Sequence, residues 1–288
     1  MFKITFNSKS SNIDSTIELL QIHDIFNTYY ETPITVVEDK YGYDFVENND
    51  KDILINIICK DSDELSQTEH KLKEIFKDIN LSIREVDNTN FQQSFEPIDL
   101  NNGYVLADPS YVCEDNKIHI NFIPQGAFGT GVHETTQDLL RTILSMDLTG
   151  KSVLDIGTGS GVLALAASMK NAKKVTALDL RDVTDEIELN ASLNNLNNIE
   201  VVVGNALEDL TLSIDDYYDL IIINIGGEET HMFMPFINNH CTKNSTVLVS
   251  GLVTWSYEEV VEGIKTYGFE LCETITSNEW VSLSFNQK

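Results

Sequence analysis

Val153-Leu154-Asp155-Ile156-Gly157-Thr158-Gly159-Ser160-Gly161 is the stretch that decides the fold. An apolar, β-prone run carries an acid, three glycines then alternate, and a helix-forming run follows from Val162 to Ala172. A strand, a glycine-rich turn and a helix in that order bring backbone close to an adenosine-bearing cofactor in α/β folds. A dinucleotide fingerprint spaces its glycines G-x-G-x-x-G. Here the spacing is G-x-G-x-G, with Asp155 ahead of the first glycine. With no pyrophosphate to cradle, the turn suits S-adenosylmethionine better than NAD.

Working outward, the chain beyond residue 126 alternates β and α patterns. Thr135–Met146 reads as a helix before the glycine turn. After it come a strand at Lys174–Leu178, a helix at Asp185–Asn195, a strand at Glu200–Val203 and an apolar run of buried-strand type at Asp219–Ile223. Thr246–Val249 is a further strand, and Tyr257–Tyr267 is a helix closed by Gly268. Glu270–Glu273 and Trp280–Phe285 finish the chain as a hairpin. The expectation is a Rossmann-like α/β domain over 126–288, a doubly wound sheet with a C-terminal β-hairpin.

The first part has another rhythm. Phe2–Phe6 reads as a strand, and Ile13, Ile17, Leu20, Ile25, Phe26 and Tyr29 roughly follow a helical face. Pro33–Val37 and Tyr41–Val46 are short strands around Glu38-Asp39-Lys40. Ile53–Cys59 is β-prone, Leu65, Leu72, Ile75, Phe76 and Ile79 mark a second helix with Asp61 or Ser62 as cap, and Leu81–Val86 is a strand. The order β-α-β-β-α-β predicts a small α+β ferredoxin-like domain over 1–87. Such modules mostly dock something, so this one is read as a substrate-recognition domain. Residues 88–125 are read as a linker and pre-catalytic strands, with Tyr104–Ala107 and Lys117–Phe122 extended.

Composition narrows the partners. The formal net charge is −27, and both parts are acidic: 9 Lys/Arg against 18 Asp/Glu in 1–88, and 10 against 28 in 89–288. No basic tract exists to hold a phosphate backbone, so direct nucleic-acid binding is disfavoured. A basic protein partner fits, since acidic surfaces steer cationic ligands. Cys59, Cys113, Cys241 and Cys272 lie far apart, and the six histidines lack ligand spacing, so neither a disulfide framework nor a metal site is expected. No apolar run approaches membrane-spanning length, and the chain reads as cytoplasmic.

Three positions carry candidate chemistry. Asp179 ends the second strand, 22 residues after Gly157, where an acid accepts hydrogen bonds from ribose hydroxyls; the competing reading is a helix cap. Asn224 follows Leu220-Ile221-Ile222-Ile223, beyond the carboxyl end of a strand, where it can orient a nucleophilic nitrogen; the competing reading is a turn residue ahead of Gly226-Gly227. The stretch Gly126-Ala127-Phe128-Gly129-Thr130-Gly131-Val132-His133-Glu134-Thr135-Thr136 can form a lid whose Phe128 covers a cofactor. A capped loop, with Thr135 or Thr136 as N-cap, is the alternative. A lone His133 is more often structural than catalytic.

With these segments placed, the chain resembles the ribosomal protein L-eleven methyltransferases of the PrmA type. Family members carry A-F-G-T-G-T-H-P-T-T before the glycine turn, and this chain has Ala127 to Thr136 in that place. Their D-x-G-x-G-S-G-x-L-A-I-A-A is matched from Asp155 to Ala167, with Leu165 for the Ile. Their N-I-L-A becomes Asn224-Ile225-Gly226-Gly227, and Glu279-Trp280-Val281 looks like the family's ending. The resemblance implies a class I methyltransferase that uses S-adenosylmethionine, with Thr136, Gly157, Gly159, Asp179, Phe128 and Asp155 in the cofactor-binding set. It implies that Asn224 sits where the cofactor meets the target nitrogen, as the catalytic position. It also implies recognition of a basic large-subunit ribosomal protein by the first domain, and methylation of its α-amine and lysine ε-amines. Val132, Glu134 and Arg181 depart from the family pattern, and Gly226-Gly227-Glu228-Glu229 replaces an apolar stretch. Glu228 or Glu229 is expected to attract a cationic substrate. The same chemistry on another protein or a small amine, a module that binds the cofactor without turnover, and a nucleotide-dependent dehydrogenase are the alternatives.

Overall fold

The structure is a computed structural model that describes every residue except 24, 26, 31–33, 48–51, 77–78, 87–94, 126, 128 and 208–216. The chain divides into two compact units. One comprises Met1–Asp39 and Tyr43–Gln93, the other Lys40–Gly42 and Ser94–Lys288.

The first unit contains β1 (Phe2–Lys9), α1 (Ile13–Ile22), β2 (Thr28–Tyr30), β3 (Ile34–Glu38), β4 (Tyr43–Glu47), β5 (Asp52–Cys59), α2 (Ser62–Ile75) and β6 (Ser82–Glu85). Four of the strands form one antiparallel sheet in the order β2-β5-β1-β6. Alternation along β1 and β5 turns Ile4, Phe6, Ile55, Ile57 and Cys59 to a core shared with Leu20 and Leu72. Asp61 caps α2 by accepting from the backbone N–H of Asp63 and Glu64, one of the two caps expected. Two expectations need correction. Tyr29 lies in β2, not on a helical face, because α1 stops at Ile22. Among the described residues the hairpin β3–β4 pairs only with itself, so the short β2, and not the hairpin, completes the four-stranded sheet.

The second unit opens with β7 (Ile98–Asp99), β8 (Tyr104–Ala107) and β9 (Ile118–Asn121), a small sheet in that order. These are not mere connectors. Leu100, Leu106, Ile120 and Phe122 are all buried in the main core, beside Leu139 and Leu163. Then follow α3 (Glu134–Ser145), β10 (Ser152–Ile156), α4 (Val162–Met169), β11 (Lys174–Asp179), α5 (Thr184–Leu193), β12 (Ile199–Val203), β13 (Tyr218–Asn224), α6 (Gly227–His240), β14 (Cys241–Val253), α7 (Tyr257–Lys265), β15 (Phe269–Ser277) and β16 (Trp280–Gln287).

Seven of these strands make one sheet in the order β12-β11-β10-β13-β14-β16-β15. The pairs from β12 to β14 are parallel, and the last two pairs are antiparallel, which gives the terminal hairpin. Period-two alternation sends Val153, Leu220 and Ile222 to one face with α3, α4 and α5, and Leu154, Ile221 and Ile223 to the other with α6 and α7. A sheet buried on both faces reads as a continuous apolar run, as Leu220–Ile223 does, and each such side chain contributes about 1.5–3 kcal/mol. This is the expected doubly wound α/β sheet with a closing hairpin. Strand order reverses at β10, with β11 on one side and β13 on the other, so a crevice opens beyond their carboxyl ends. Among the described residues, no helix is long and apolar enough to cross a membrane.

Candidate functional site

The crevice is a cavity of about 540 Å³. Thr136 from α3, Gly157 and Gly159 from the turn after β10, Asp179 from the end of β11 and Asn224 from the end of β13 all line it. Four separate chain segments thus bring five of the expected residues together. Phe128 falls outside the described residues.

The turn is built by its glycines. Gly157 has φ +67°, which an L side chain rarely adopts, and a Cβ there would lie 2.6 Å from the end of the Ile225 side chain. Its backbone N–H and that of Thr158 both donate to the Leu178 carbonyl, which seats the turn on β11. Asp179 is fixed from the same turn: one carboxylate oxygen accepts from the Gly159 N–H at 2.9 Å, the other from the Arg181 N–H at 3.0 Å. Each oxygen keeps a further lone pair for hydroxyl donors in the cavity.

Asp155 has a different task from the one expected. It does not line the cavity; it is buried beneath the turn, where it accepts from the Thr158 hydroxyl at 2.7 Å. Burial pushes its carboxyl up to about 6, against the Thr158 hydroxyl and the Ala164 N–H, which favour the carboxylate, while the Asp179 charge adds to the rise. Its position on β10 turns the side chain inward beneath the turn, away from the cavity lining.

Thr136 offers the plainest sign of a missing partner. It is 1% exposed, and among the described residues its hydroxyl has no hydrogen-bond partner although the residue lines the cavity. Buried hydroxyls are nearly always paired. His133, Glu134 and Ser160 nearby each have partners. His133, not Thr135 or Thr136, is the N-cap of α3, its ring nitrogen accepting from the Thr135 N–H, and its ring meets Trp280 edge-on at 4.6 Å. Glu134 accepts from the Asn278 amide. Ser160 ties the two halves of the site by donating to the Gly129 carbonyl at 2.9 Å.

Sequence reading placed the helix at Asp185–Asn195 but missed the work of one polar row on it. Glu186 and Asn190 on α5 and its C-cap residue Asn194 stand one turn apart. Glu186 accepts from the N–H groups of Gln125 and Ala127, Asn190 exchanges bonds with Ile123, and Asn194 does the same with Asn121. Three side chains thereby replace a neighbouring strand for the backbone leading into the lid. The signal was the i, i+4, i+8 spacing of an acid and two amides on a helix next to Asp179.

The acidic departure also resolves. Glu229, in the first turn of α6, lines the cavity half-buried, whereas Glu228 is exposed. Among the described residues, no group of three or more His, Cys, Asp or Glu is placed to hold a metal, and Cys59, Cys113, Cys241 and Cys272 are free thiols.

Comparison with known proteins agrees with this geometry. The profile of the family "Ribosomal protein L11 methyltransferase (PrmA)" matches residues 1–288. A ribosomal protein L11 methyltransferase of Lactobacillus gasseri is 32% identical over 280 residues, covering 94% of this chain and 84% of that protein. One from Fusobacterium nucleatum is 31% identical over 218 residues, covering 73% and 69%. The crystal structure of a ribosomal protein L11 methylase from Lactobacillus delbrueckii subsp. bulgaricus aligns with a TM-score of 0.60 at 28% identity, over 67% of this chain and all of that one. A family match along the whole length, with relatives of the same name across most of it, means that the chain belongs to the ribosomal protein L11 methyltransferase family.

Proposed function

We propose that this chain is an S-adenosylmethionine-dependent protein N-methyltransferase, and that it modifies the α-amine and lysine ε-amines of ribosomal protein L11. The observation that carries the chemistry is the convergence of Thr136, Gly157, Gly159, Asp179 and Asn224 on one cavity at the strand-order reversal. The relatives' names carry the acceptor.

The residues present fit the cofactor. Asp179 has lone pairs free for two ribose hydroxyls, the bare Cα atoms of Gly157 and Gly159 admit close approach, and the Thr136 hydroxyl lacks a partner. When bound, the cofactor supplies an electrophilic methyl group on a sulfonium. Asn224, at the mouth of the same crevice, presents an amide oxygen that accepts from an amine and aims its lone pair. The protein's work is mostly positioning, since the departing thioether needs no proton. The acceptor must lose a proton before it attacks: an α-amine with pKa about 8 is roughly a tenth neutral at pH 7, a lysine amine far less. The N-terminal unit, read as a ferredoxin-like recognition domain, would hold the basic ribosomal protein, and the setting would be the cytoplasm.

The test is transfer of labelled methyl from S-adenosylmethionine to purified ribosomal proteins, followed by mass mapping. Label on L11, lost in Asn224→Ala with cofactor affinity kept, is the expected result. Cofactor binding with no label on any ribosomal protein would refute it. A second reading, the same reaction on another basic protein or amine, is favoured by one observation: Glu229 in the cavity wall, where the family pattern is apolar.

A further inference from the structure

We infer that Glu229 is a specificity-determining residue that holds the incoming amine as its ammonium and stabilises the positive charge that forms on nitrogen during transfer. The inference rests on the function proposed above.

The charge map of the cavity is simple. Among its described lining residues only Asp179, Arg181 and Glu229 are charged. Asp179 and Arg181 stand together at the end of β11 and are bonded to each other through the Arg181 N–H. Glu229 stands apart, near Asn224 and Ile225 on the turn between β13 and α6. No hydrogen bond or ion pair engages its carboxylate among the described residues. Glu228 and His231, its ionisable neighbours on α6, are not in the lining, and β13 and β14 bring no ionisable side chain to it.

A second observation ties the placement to its neighbour. A Cβ at Gly226 would lie 2.7 Å from Glu229 Oε2. The carboxylate therefore rests over the bare Cα of Gly226, and any side chain there would displace it. Two departures from the family pattern, Gly226 and Glu229, act as one device.

The physical consequence concerns the nitrogen. The bound ammonium first gives one proton to water; the nitrogen lone pair so freed then forms the new N–C bond, and the C–S bonding pair leaves with sulfur. Sulfur loses its positive charge and nitrogen gains it; the methylated ammonium then gives a proton to water. A carboxylate beside the nitrogen favours every cationic form of it, both the ammonium that binds and the charge that develops. It must therefore raise the pKa of the bound amine, increase affinity for the acceptor, and raise the limiting rate. A side chain that merely shapes the turn would do none of these together.

The experiment compares the full-length wild type with Glu229→Gln, Glu229→Asp and Gly226→Ala, with L11 as acceptor, over pH 6–10. Two readouts are taken: kcat and KM against pH, and acceptor affinity by calorimetry with S-adenosylhomocysteine, which allows no turnover. In Glu229→Gln the rising limb of kcat should move to lower pH by about one unit. Acceptor affinity at pH 7 and kcat/KM should each fall about tenfold. Gly226→Ala should shift the limb in the same direction, and Glu229→Asp should restore part of it. Intact transfer with coincident pH limbs and unchanged acceptor affinity overturns the inference and leaves the proposed function standing. Absence of label from the wild type on every ribosomal protein overturns both.

Discussion

Replacing Thr136 by Val should make the ligand-free protein more stable and the cofactor weaker, two effects of opposite sign from one atom. Thr136 is 1% exposed, and its hydroxyl is buried without a partner. Isolating such a group costs about 1–3 kcal/mol, whereas an apolar group of the same shape carries no such penalty. Val is nearly isosteric with Thr, so packing against the core is kept. For a cooperative unit of this size each kcal/mol moves the midpoint by about 2–4 °C. Thr136→Val should therefore raise the ligand-free Tm by roughly 2–12 °C, read by scanning fluorimetry or calorimetry. If the hydroxyl finds its partner on the cofactor, the variant loses that bond, and Kd should rise by about five- to a hundredfold in titration calorimetry. The stabilising increment on adding S-adenosylmethionine should shrink accordingly. A lowered Tm with an unchanged Kd would refute the reasoning, because the hydroxyl would then be serving the fold.

Other changes test the remaining supports. Asp155 binds a proton more tightly when folded, with its carboxyl raised from 3.8 to about 6, so its stabilising share is full below about pH 3.8 and is lost as pH rises through about 6. Urea melts from pH 4 to 7 should show Asp155→Asn gaining about 3 kcal/mol on the wild type across that window, and parallel curves would refute the assignment. At Gly251, φ is +77° and a Cβ would stand 3.2 Å from the Gly226 nitrogen and the Ile225 carbonyl carbon. Gly251→Ala should cost about 1–3 kcal/mol and cut kcat more than cofactor affinity, measured by urea melts and steady-state kinetics. Glu186→Gln, which keeps one acceptor for the N–H groups of Gln125 and Ala127, should weaken cofactor binding less than Glu186→Ala, and equal losses in calorimetry would show that packing alone matters.

The strand ends were legible because they are chemically abrupt. Leu220-Ile221-Ile222-Ile223 stops at Asn224, and Val175-Thr176-Ala177-Leu178 stops at Asp179, so a polar residue after an apolar run marked each lip of the crevice. The glycine turn was legible for the same reason. Helix α6 was not, since Gly227 opens it and Pro235 interrupts it, residues that cost about 1 and 3 kcal/mol in a helix interior. Burial of Met234 and Ile237 against the sheet outweighs that local cost. Strand β2 was missed because three residues carry too little periodicity and the next are polar. The contributions of Asp155 and the Glu186–Asn190–Asn194 row were hidden for a different reason. Both depend on which backbone groups lie opposite, and only the packed fold fixes that.

On the proposed function the crevice has a cofactor end and an acceptor end, and the two rest on different foundations. The cofactor end is backbone: the turn after β10 hangs on the Leu178 carbonyl, and its Gly159 N–H grips Asp179, so a side-chain change there meets φ strain or a broken bond. The acceptor end is a short turn, Asn224 to Gly227, pressed from behind by Gly251 at the irregularity in the β14–β16 pairing. That contact fixes the path of the backbone at 225–226, while the side chain of Glu229 projects from the first turn of α6 into the cavity. Gly226 has φ 161°, extended backbone that any residue adopts, so only the carboxylate above it argues for glycine there. Charge at the acceptor end can therefore be changed by one or two side chains without altering the frame that holds the cofactor. On the proposed function, Asn224 and Glu229 therefore differ in kind: the first sits at the end of a buried strand and would serve the transfer itself, and the second would select which amine reaches it.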